Sequence, residues 1–407
     1  LTQRLPRGFA ALIAAQFTSA LADNALLIVA VALLEQQGLP GWWAPLLKFG
    51  LVLSYVLLAP FVGPLADAHA KARVMAAMNG VKVAGVGLLL AGVHPVAALA
   101  LVGLGATAYA PAKYGLVTEL VPPSLLVVAN SWIEVTVVCA ALFGVVLGGL
   151  LVSPWIAGVA AALGSVPPLT LALLLLLGVY AAAALLNLGV PDSGARYARA
   201  SLHPGALLRD FVQAHRKLWR DAEGGLSLAA TTIFWGAGAT LQFAVLRWAV
   251  DALGLTLDKA AYLQGAVALG VIAGAAAAGR WVALHHAQHM LWAGVLLGLL
   301  VPVAASVRDV PIAALLLALI GAVGGAMVVP LNALLQHRGF VLLTAGRSIA
   351  VQGFNENASV LAMLAAYAVL QGQQVSIVAT MWGLGLFVAA AVMALIVVDR
   401  RAQPASG

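Results

Sequence analysis

Charge is scarce in this sequence. Of its 407 residues, 9% are Asp, Glu, Lys or Arg and 63% are hydrophobic, and the mean hydropathy is +1.04. A soluble chain carries about 25% charged residues, so the composition excludes an ordinary water-soluble domain and implies a bilayer as solvent. The single cysteine, Cys139, excludes an internal disulfide framework and reads as a small apolar filler within a helix. The eight histidines fall in predicted loops or at span ends, which leaves a Ser-His-Asp nucleophile without a base at depth. Among them His285, His286 and His289 come nearest to metal-ligand spacing, with no Cys or acid beside them. No glycine-rich loop ends in Lys-Ser or Lys-Thr, so ATP hydrolysis on a P-loop is excluded. Nothing here implies an enzyme, a cofactor or a metal.

What is present is long apolar runs. The first, Phe9 to Glu35 (FAALIAAQFTSALADNALLIVAVALLE), contains apolar, small or weakly polar residues until Asp23 and Asn24. At helical rise Asp23 lies roughly 20 Å along it, near the middle of a ~30 Å hydrocarbon core. A carboxylate at that depth costs several kcal/mol in lipid, so it is expected to face a bundle interior or a wet cavity. It is either a protonated structural group or a polar landmark on a substrate path. The run is too long for a signal-peptide core and carries an acid, so it is expected to be retained.

The fold expected is an all-α membrane protein of twelve transmembrane helices. Spans are predicted at 9–35, 44–66, 74–93, 96–120, 125–152, 167–190, 225–251, 259–283, 288–307, 310–336, 345–371 and 374–398. The only long polar interval lies between the sixth and seventh, where RDFVQAHRKLWRDAEGG reads as an amphipathic helix on the membrane surface. The chain thus divides into an N-terminal six-helix bundle (1–190), a cytoplasmic linker (191–224) and a C-terminal six-helix bundle (225–407). With the amino terminus inside, Arg4, Arg7, Lys71, Arg73, six linker residues, Arg280, Arg338, Arg347, Arg400 and Arg401 collect there, 15 of the 21 Lys and Arg. That bias sets both termini in the cytoplasm. It also accounts for the net charge of +7 by anionic lipid, without invoking nucleic acid. Trp42, Trp43 and Trp248 are expected as interfacial anchors, and Lys48 and Arg247 as residues that snorkel near the outer boundary.

A repeat relates the halves. Gly105 precedes Pro111 by six residues in the fourth span, and Gly324 precedes Pro330 by six in the tenth, which aligns Lys113 with Asn332. Asn130 precedes Glu134 by four, and Gln352 precedes Glu356 by four, so each pair shares a helical face. Parallel six-helix halves of this kind are a transporter architecture. Between the second and third spans, GPLADAHAKAR resembles the loop signature of the major facilitator superfamily. Gly63, Leu65, Ala66, Asp67, Lys71 and Arg73 match it, while Ala68 and Ala70 depart from it. An acid ending one span beside basic residues opening the next can form breakable ion pairs at an inner gate. In the second half Gly274 and Arg280 survive, but Ala278 stands where an acid is expected.

A narrower resemblance covers essentially the whole chain. AQFTSALADNALL (15–27), YAPAKYG (109–115), FWGAG (234–238), VVPLNALLQHRG (328–339) and AVQGFNENA (350–358) resemble the bacterial lysophospholipid transporter family. The resemblance implies inward movement of lysophospholipids, chiefly ethanolamine and glycerol types, across the bacterial inner membrane. It also implies a cytoplasmic acyltransferase with acyl-carrier-protein synthetase activity as functional partner. It places Asp23, Asn24 and Lys113 on the substrate's route. The family tends to carry an arginine in the seventh span where this chain has Gln242, which removes a direct charge lock between the first and seventh helices.

The residues themselves support narrower expectations. Lys113 and Glu134 lie about 10 and 13 Å from the inner ends of their spans, so they are expected to pair, with Lys82 as a third member, rather than Lys113 bonding Asp23 directly. Snorkelling to the inner surface is the alternative for Lys113. Glu356 faces Asn332 rather than a lysine in its half, so it is either protonated or meets a cation in passing, an ethanolamine ammonium or a proton. Asn355 and Asn357 flank it on different faces, so one of them can share its pocket. Gln242, near the depth of Asp23, offers a neutral donor and acceptor to a phosphate or glycerol oxygen, or to a neighbouring helix. Tyr114, Glu134, Asn332, Gln352 and Asn355 complete the expected headgroup contacts, and Gly63, Asp67, Lys71 and Arg73 the gate with Lys82. The chain is expected to act as a monomer. Its two rivals are a proton-coupled exporter of amphipathic drugs with Asp23 or Glu356 as proton carrier, and a membrane acyltransferase acting on the same lipids.

Overall fold

The computed structural model describes residues 5–6, 8–39, 43–164, 166–197 and 203–402. Arg4, Arg7, Trp42 and Arg199 lie outside the described residues, as does the side chain of Arg401. Among the described residues the chain is helical, with two short 3-10 turns at 123–125 and 284–290 and no strand. The helices are α1 (Phe9–Gln36), α2 (Trp43–Ala68), α3 (Lys71–Leu90), α4 (Pro95–Leu120), α5 (Leu126–Leu151), α6 (Pro154–Ala162) and α7 (Pro168–Leu188). They continue as α8 (Pro204–Arg220), α9 (Ala222–Leu253), α10 (Leu257–Trp281), α11 (Leu291–Ser306), α12 (Val310–Leu342), α13 (Ala345–Gly372) and α14 (Ile377–Ala402).

Eleven of these are long and apolar enough to cross a membrane. α13 has the length, 28 residues, but Arg347, Gln352, Asn355, Glu356 and Asn357 make it too polar for that measure. Its backbone still pairs within the helix, which is what a chain in lipid requires. The amphipathic linker helix is present as α8, and the short α6, opened by Pro154, occupies the interval before the sixth expected span. Asp221 and Asp309 cap α9 and α12 by accepting from Gly224 N (2.8 Å) and Ile312 N (3.0 Å).

The chain forms two compact units, and their boundaries do not follow the division at the linker. The first comprises residues 1–120, 136–211 and 344–350; the second comprises 121–135, 212–343 and 351–407. The opening of α5 therefore belongs with second-half helices, and the opening of α13 with first-half helices. Within these units Gln336 bonds Asn130 near the start of α5, and Asp67 bonds the start of α13.

In the first unit α1, α3 and α7 pack around Leu26, Val29, Val86, Leu173 and Leu176, all buried. In the second unit the tightest crossing is between α10 and α12. A Cβ at Gly274 would lie 1.8 Å from Ala322 O, and one at Gly321 would lie 2.1 Å from Val267 O. Only glycine permits that backbone approach, the way helices associate in lipid where no hydrophobic drive exists. Trp248 belongs to this unit's core. It is fully buried and donates Nε1–H to Ala305 O at 3.1 Å, so it is a core residue and not the expected interfacial anchor. Its indole finds an acceptor in a carbonyl near the end of α11.

Candidate functional site

The first unit holds a charge pair at depth. Lys82, on α3, places Nζ 2.9 Å from Asp23 Oδ1 and 2.7 Å from Asp23 Oδ2, and also donates to Ser19 Oγ at 3.0 Å. Tyr180, on α7, donates its hydroxyl to Asp23 Oδ1 at 2.7 Å. The rings of Tyr109 and Tyr180 stand 5.4 and 5.7 Å from the ammonium, within cation–π reach. Lys82 is sealed, its side chain 2% accessible, whereas the Asp23 side chain is 31% accessible. The cation is fixed and the carboxylate can be reached.

The structure places Lys82, expected among the gate residues, beside Asp23. Gly105 explains the packing: a Cβ there would lie 3.0 Å from Lys82 Cγ and 2.9 Å from Met78 O, so α4 comes close only because the side chain is missing. The signal was available, since eleven residues beyond Lys71 is about 16 Å of rise, close to the depth of Asp23. Ser19 and Tyr180, which sequence reasoning missed, become visible only once α1, α3 and α7 are packed. Ser19 also donates to Asn79 Oδ1 at 2.7 Å. Asn24 turns to its own helix, donating Nδ2–H to Ala20 O at 2.8 Å, and its Cβ faces Gly144.

About two turns from Asp23 along α1, Lys113 Nζ approaches Gln16 Oε1 at 3.4 Å and lies 4.2 Å from the Tyr114 ring centroid. Gln16 donates Nε2–H to Thr136 Oγ1 at 2.6 Å. Lys113 is nearly buried and belongs to the first unit, while Glu134, also buried, belongs to the second.

The loop acid Asp67 caps the start of α13. It accepts from Gly346 N at 2.8 Å, from Arg347 N at 3.2 Å and from the Thr344 hydroxyl. A carboxylate at a helix N-terminus meets both the orphan N–H groups and the positive end of the dipole. Gly63 and Gly346 make room for it. A Cβ on Gly346 would lie 2.6 Å from Gly63 O, and one on Gly63 would lie 3.0 Å from Arg347 Cα. Lys71 bridges Asp67 at 3.4 Å and Glu119 at 2.5 Å. Glu119 in turn accepts from Tyr197 Oη at 2.8 Å and from the Ser193 hydroxyl, so the linker's first residues strap this cluster. Burial, and then the bond to Glu119, push the Tyr197 phenol above its ordinary range. Arg73 is exposed and acts on Asp192 through space, whereas Arg347 reaches Asp210 at 3.7 Å.

The second unit holds an amide-lined acid. Gln352 Nε2 donates to Glu356 Oε1 at 2.9 Å and to Asn332 Oδ1 at 3.0 Å. No cation lies within ion-pair distance of Glu356 among the described residues. Asn130 does not repeat this contact in its half. It exchanges two 2.9 Å bonds with Gln336 of α12. Asn355 faces away from Glu356, accepting from Trp219 Nε1 at 3.2 Å and meeting His215 Nδ1 at 3.5 Å. The structure thus sets Asn355, an expected headgroup contact, against α8. Burial pulls the His215 pKa below its ordinary value. At the start of α9, the guanidinium of Arg338 holds Asp221 below the usual carboxylate range through bonds of 2.5 and 3.0 Å. Gln242 is exposed on α9, and its carbonyl accepts from Gln264 Nε2 at 2.6 Å. Among the described residues no three metal-ligating side chains come together.

The Major Facilitator Superfamily model matches residues 12–340. Lysophospholipid transporter LplT of Yersinia enterocolitica is 43% identical over 376 residues, covering 92% of this chain and 90% of that protein. The chain belongs to the lysophospholipid transporter family of the major facilitator superfamily. The LplT protein of Yersinia pestis (strain Pestoides F) is 44% identical over 367 residues, covering 90% and 87%. Among solved structures, the Escherichia coli fucose:proton symporter FucP superposes with a TM-score of 0.74 at 15% identity, covering 97% of this chain and 98% of that one. The human organic anion transporter MFSD10 gives 0.73 at 16% identity, covering 95% and 99%. These two share the fold. This family member has the major facilitator fold, is a multi-pass membrane protein, and is a transporter rather than an enzyme.

Proposed function

We propose that the protein carries one-tailed phospholipids of the lysophosphatidylethanolamine and lysophosphatidylglycerol type inward across the bacterial inner membrane by alternating access. Two six-helix halves, 1–190 and 225–407, move about the linker, with both termini in the cytoplasm. The delivered lipid is re-acylated there by an acyltransferase with acyl-carrier-protein synthetase activity, and the transporter works as a monomer.

The observation that carries this reading is the accessible Asp23 carboxylate against its sealed Lys82 ammonium, in a chain 43% identical to a lysophospholipid transporter. A zwitterionic or monoanionic headgroup needs one or two countercharges on its route, and the first unit offers the Asp23 carboxylate, held by the sealed Lys82, and Lys113 among amide and phenol groups. The acyl chain, with no polar group to satisfy, rides against apolar helix faces. Uptake of labelled lysophosphatidylethanolamine into sealed vesicles tests the reading, with Asp23→Ala, Lys113→Ala and Glu356→Ala beside the wild type. Uptake equal to that of protein-free vesicles refutes it.

The environment of Glu356 favours a second reading. A carboxyl held by neutral amides suits a proton carrier, and a proton-coupled exporter of amphipathic drugs would use it. An uncoupler separates the two: passive lipid uptake persists in its presence, and coupled export stops.

A further inference from the structure

Away from both clusters, the second unit carries a cavity of about 600 Å³ at the end of α9. Its walls include Arg247 and Asp251 of α9, Arg308 between α11 and α12, and Gln371, Gln374 and Ser376 around the α13–α14 turn. Arg308 donates only long bonds to the carbonyls of Ala305 (3.4 Å) and Val307 (3.5 Å). Among the described residues no carboxylate lies within ion-pair distance of it. The adjacent acid, Asp309, is committed to capping Ile312 N. Arg247 contacts Asp251 through Nε alone, at 3.2 Å, which leaves its terminal nitrogens for another acceptor. A guanidinium carries five donors in a fork that matches phosphate oxygens.

The turn adds two donors. Gln374 has φ 59°, and among the described residues it is the only non-glycine residue with positive φ. At a helix C-terminus that position ordinarily belongs to glycine, so retaining Gln costs backbone strain while placing an amide at the cavity. Ser376 then caps α14, accepting from Ala379 N at 3.2 Å, and the first residues of α14 also line the cavity. A helix N-terminus alone would be no site, but here it completes a cavity built on two arginines. Two guanidiniums and one carboxylate sum to +1, the complement of a phosphate monoanion rather than of a dianion.

We propose that the Arg247–Arg308 cavity is a binding site for a phosphate monoanion. Its assignment to a lipid headgroup, in which Asp251 would meet the ammonium of a zwitterion, rests on the transport reading; the phosphate chemistry does not.

The test is calorimetric titration of the purified full-length protein in a maltoside detergent at low salt. Glycerophosphoethanolamine and inorganic phosphate serve as separate soluble probes. Saturable binding of glycerophosphoethanolamine is expected, weakened roughly tenfold by Arg308→Gln and by added salt, and partly retained by Arg308→Lys. Equally tight binding of inorganic phosphate, lost in the same variant, supports the phosphate site and assigns it to free phosphate instead of a headgroup. No saturable binding of either probe, or binding indifferent to both Arg308→Gln and salt, overturns the proposal. If Arg308→Gln fails to fold, Ser376→Ala and the salt dependence of the wild type decide the same question. Because the probes are soluble and need no translocation, absence of lysophosphatidylethanolamine uptake would sink the transport reading and leave this result standing.

Discussion

Lys82 and Asp23 form a salt bridge of 2.7 Å in which only the acid is accessible. The asymmetry makes the two single substitutions unequal. Asp23→Asn strands an ammonium that is sealed from solvent, and breaking a buried pair from that side costs about 3–5 kcal/mol. Lys82→Met leaves a carboxylate that keeps the Tyr180 hydroxyl and can take up water, with an expected cost of about 1–3 kcal/mol. Thermal unfolding in detergent should therefore rank Asp23→Asn below Lys82→Met. The double variant should recover part of the stability while lacking lysophospholipid uptake, as both single variants should. Equal melting temperatures for the two single variants would refute the asymmetry.

The Asp67 cap on α13 should be sensitive to a single methyl group. Gly346→Ala puts a Cβ within 2.6 Å of Gly63 O and 2.8 Å of Asp67 Oδ1, both on the partner helix end. Asp67→Asn keeps the shape but loses the charge on two N–H donors, at a cost of about 1–3 kcal/mol. Both variants should reduce vesicle uptake, Gly346→Ala the more, because backbone atoms must part to admit it. Uptake unchanged in Gly346→Ala would show that this contact does not take part in the transport cycle.

Glu356→Gln should discriminate between headgroups. If the carboxylate meets an ethanolamine ammonium, uptake of lysophosphatidylethanolamine falls roughly tenfold, the scale of one charge-assisted hydrogen bond, while the glycerol-type lipid is spared. If Glu356 instead carries a coupling proton, the variant slows both lipids alike and the residual flux ignores an uncoupler. Paired uptake assays with and without uncoupler read out which holds.

Docking of α8 should weaken in acid. His215 meets the Asn355 amide at 3.5 Å through Nδ1, which accepts only while that nitrogen is unprotonated, and it packs edge-on to Phe354 and beside Trp219. Arg216 and Lys217 flank it on α8, and a second positive charge there is unwelcome. The folded pKa is lowered, so the detached helix takes up the proton first. The docking contribution is thus full above pH ~6.5 and is lost as pH falls below it through the folded value. Hydrogen exchange of α8 amides at pH 7.5 and 5.5 should show the loss in the wild type and not in His215→Phe.

Much of this protein was legible in the order of its residues. Long apolar runs, each needing its own backbone hydrogen bonds in lipid, dictate helices, and the helix ends fall within a few residues of the predicted spans. Rise arithmetic put Asp23 near the middle of its span, and it lies midway along α1; i to i+4 spacing put Gln352 beside Glu356, where the structure has a 2.9 Å bond. The same spacing did not join Asn130 to Glu134's role, because Asn130 found Gln336, 206 residues away.

Which neighbour each polar side chain meets was decided by the tertiary structure alone. Periodicity ranks faces and depths along one helix, but it carries no information about which other helix lies opposite. Lys82 met Asp23 because Gly105 let α4 close behind it, Asn355 turned to α8 because Trp219 reached it, and Trp248 sank into the core because Ala305 left a carbonyl open. In a medium with no water to satisfy a stray donor, those encounters fix where each charge rests, and they exist only once the helices have packed.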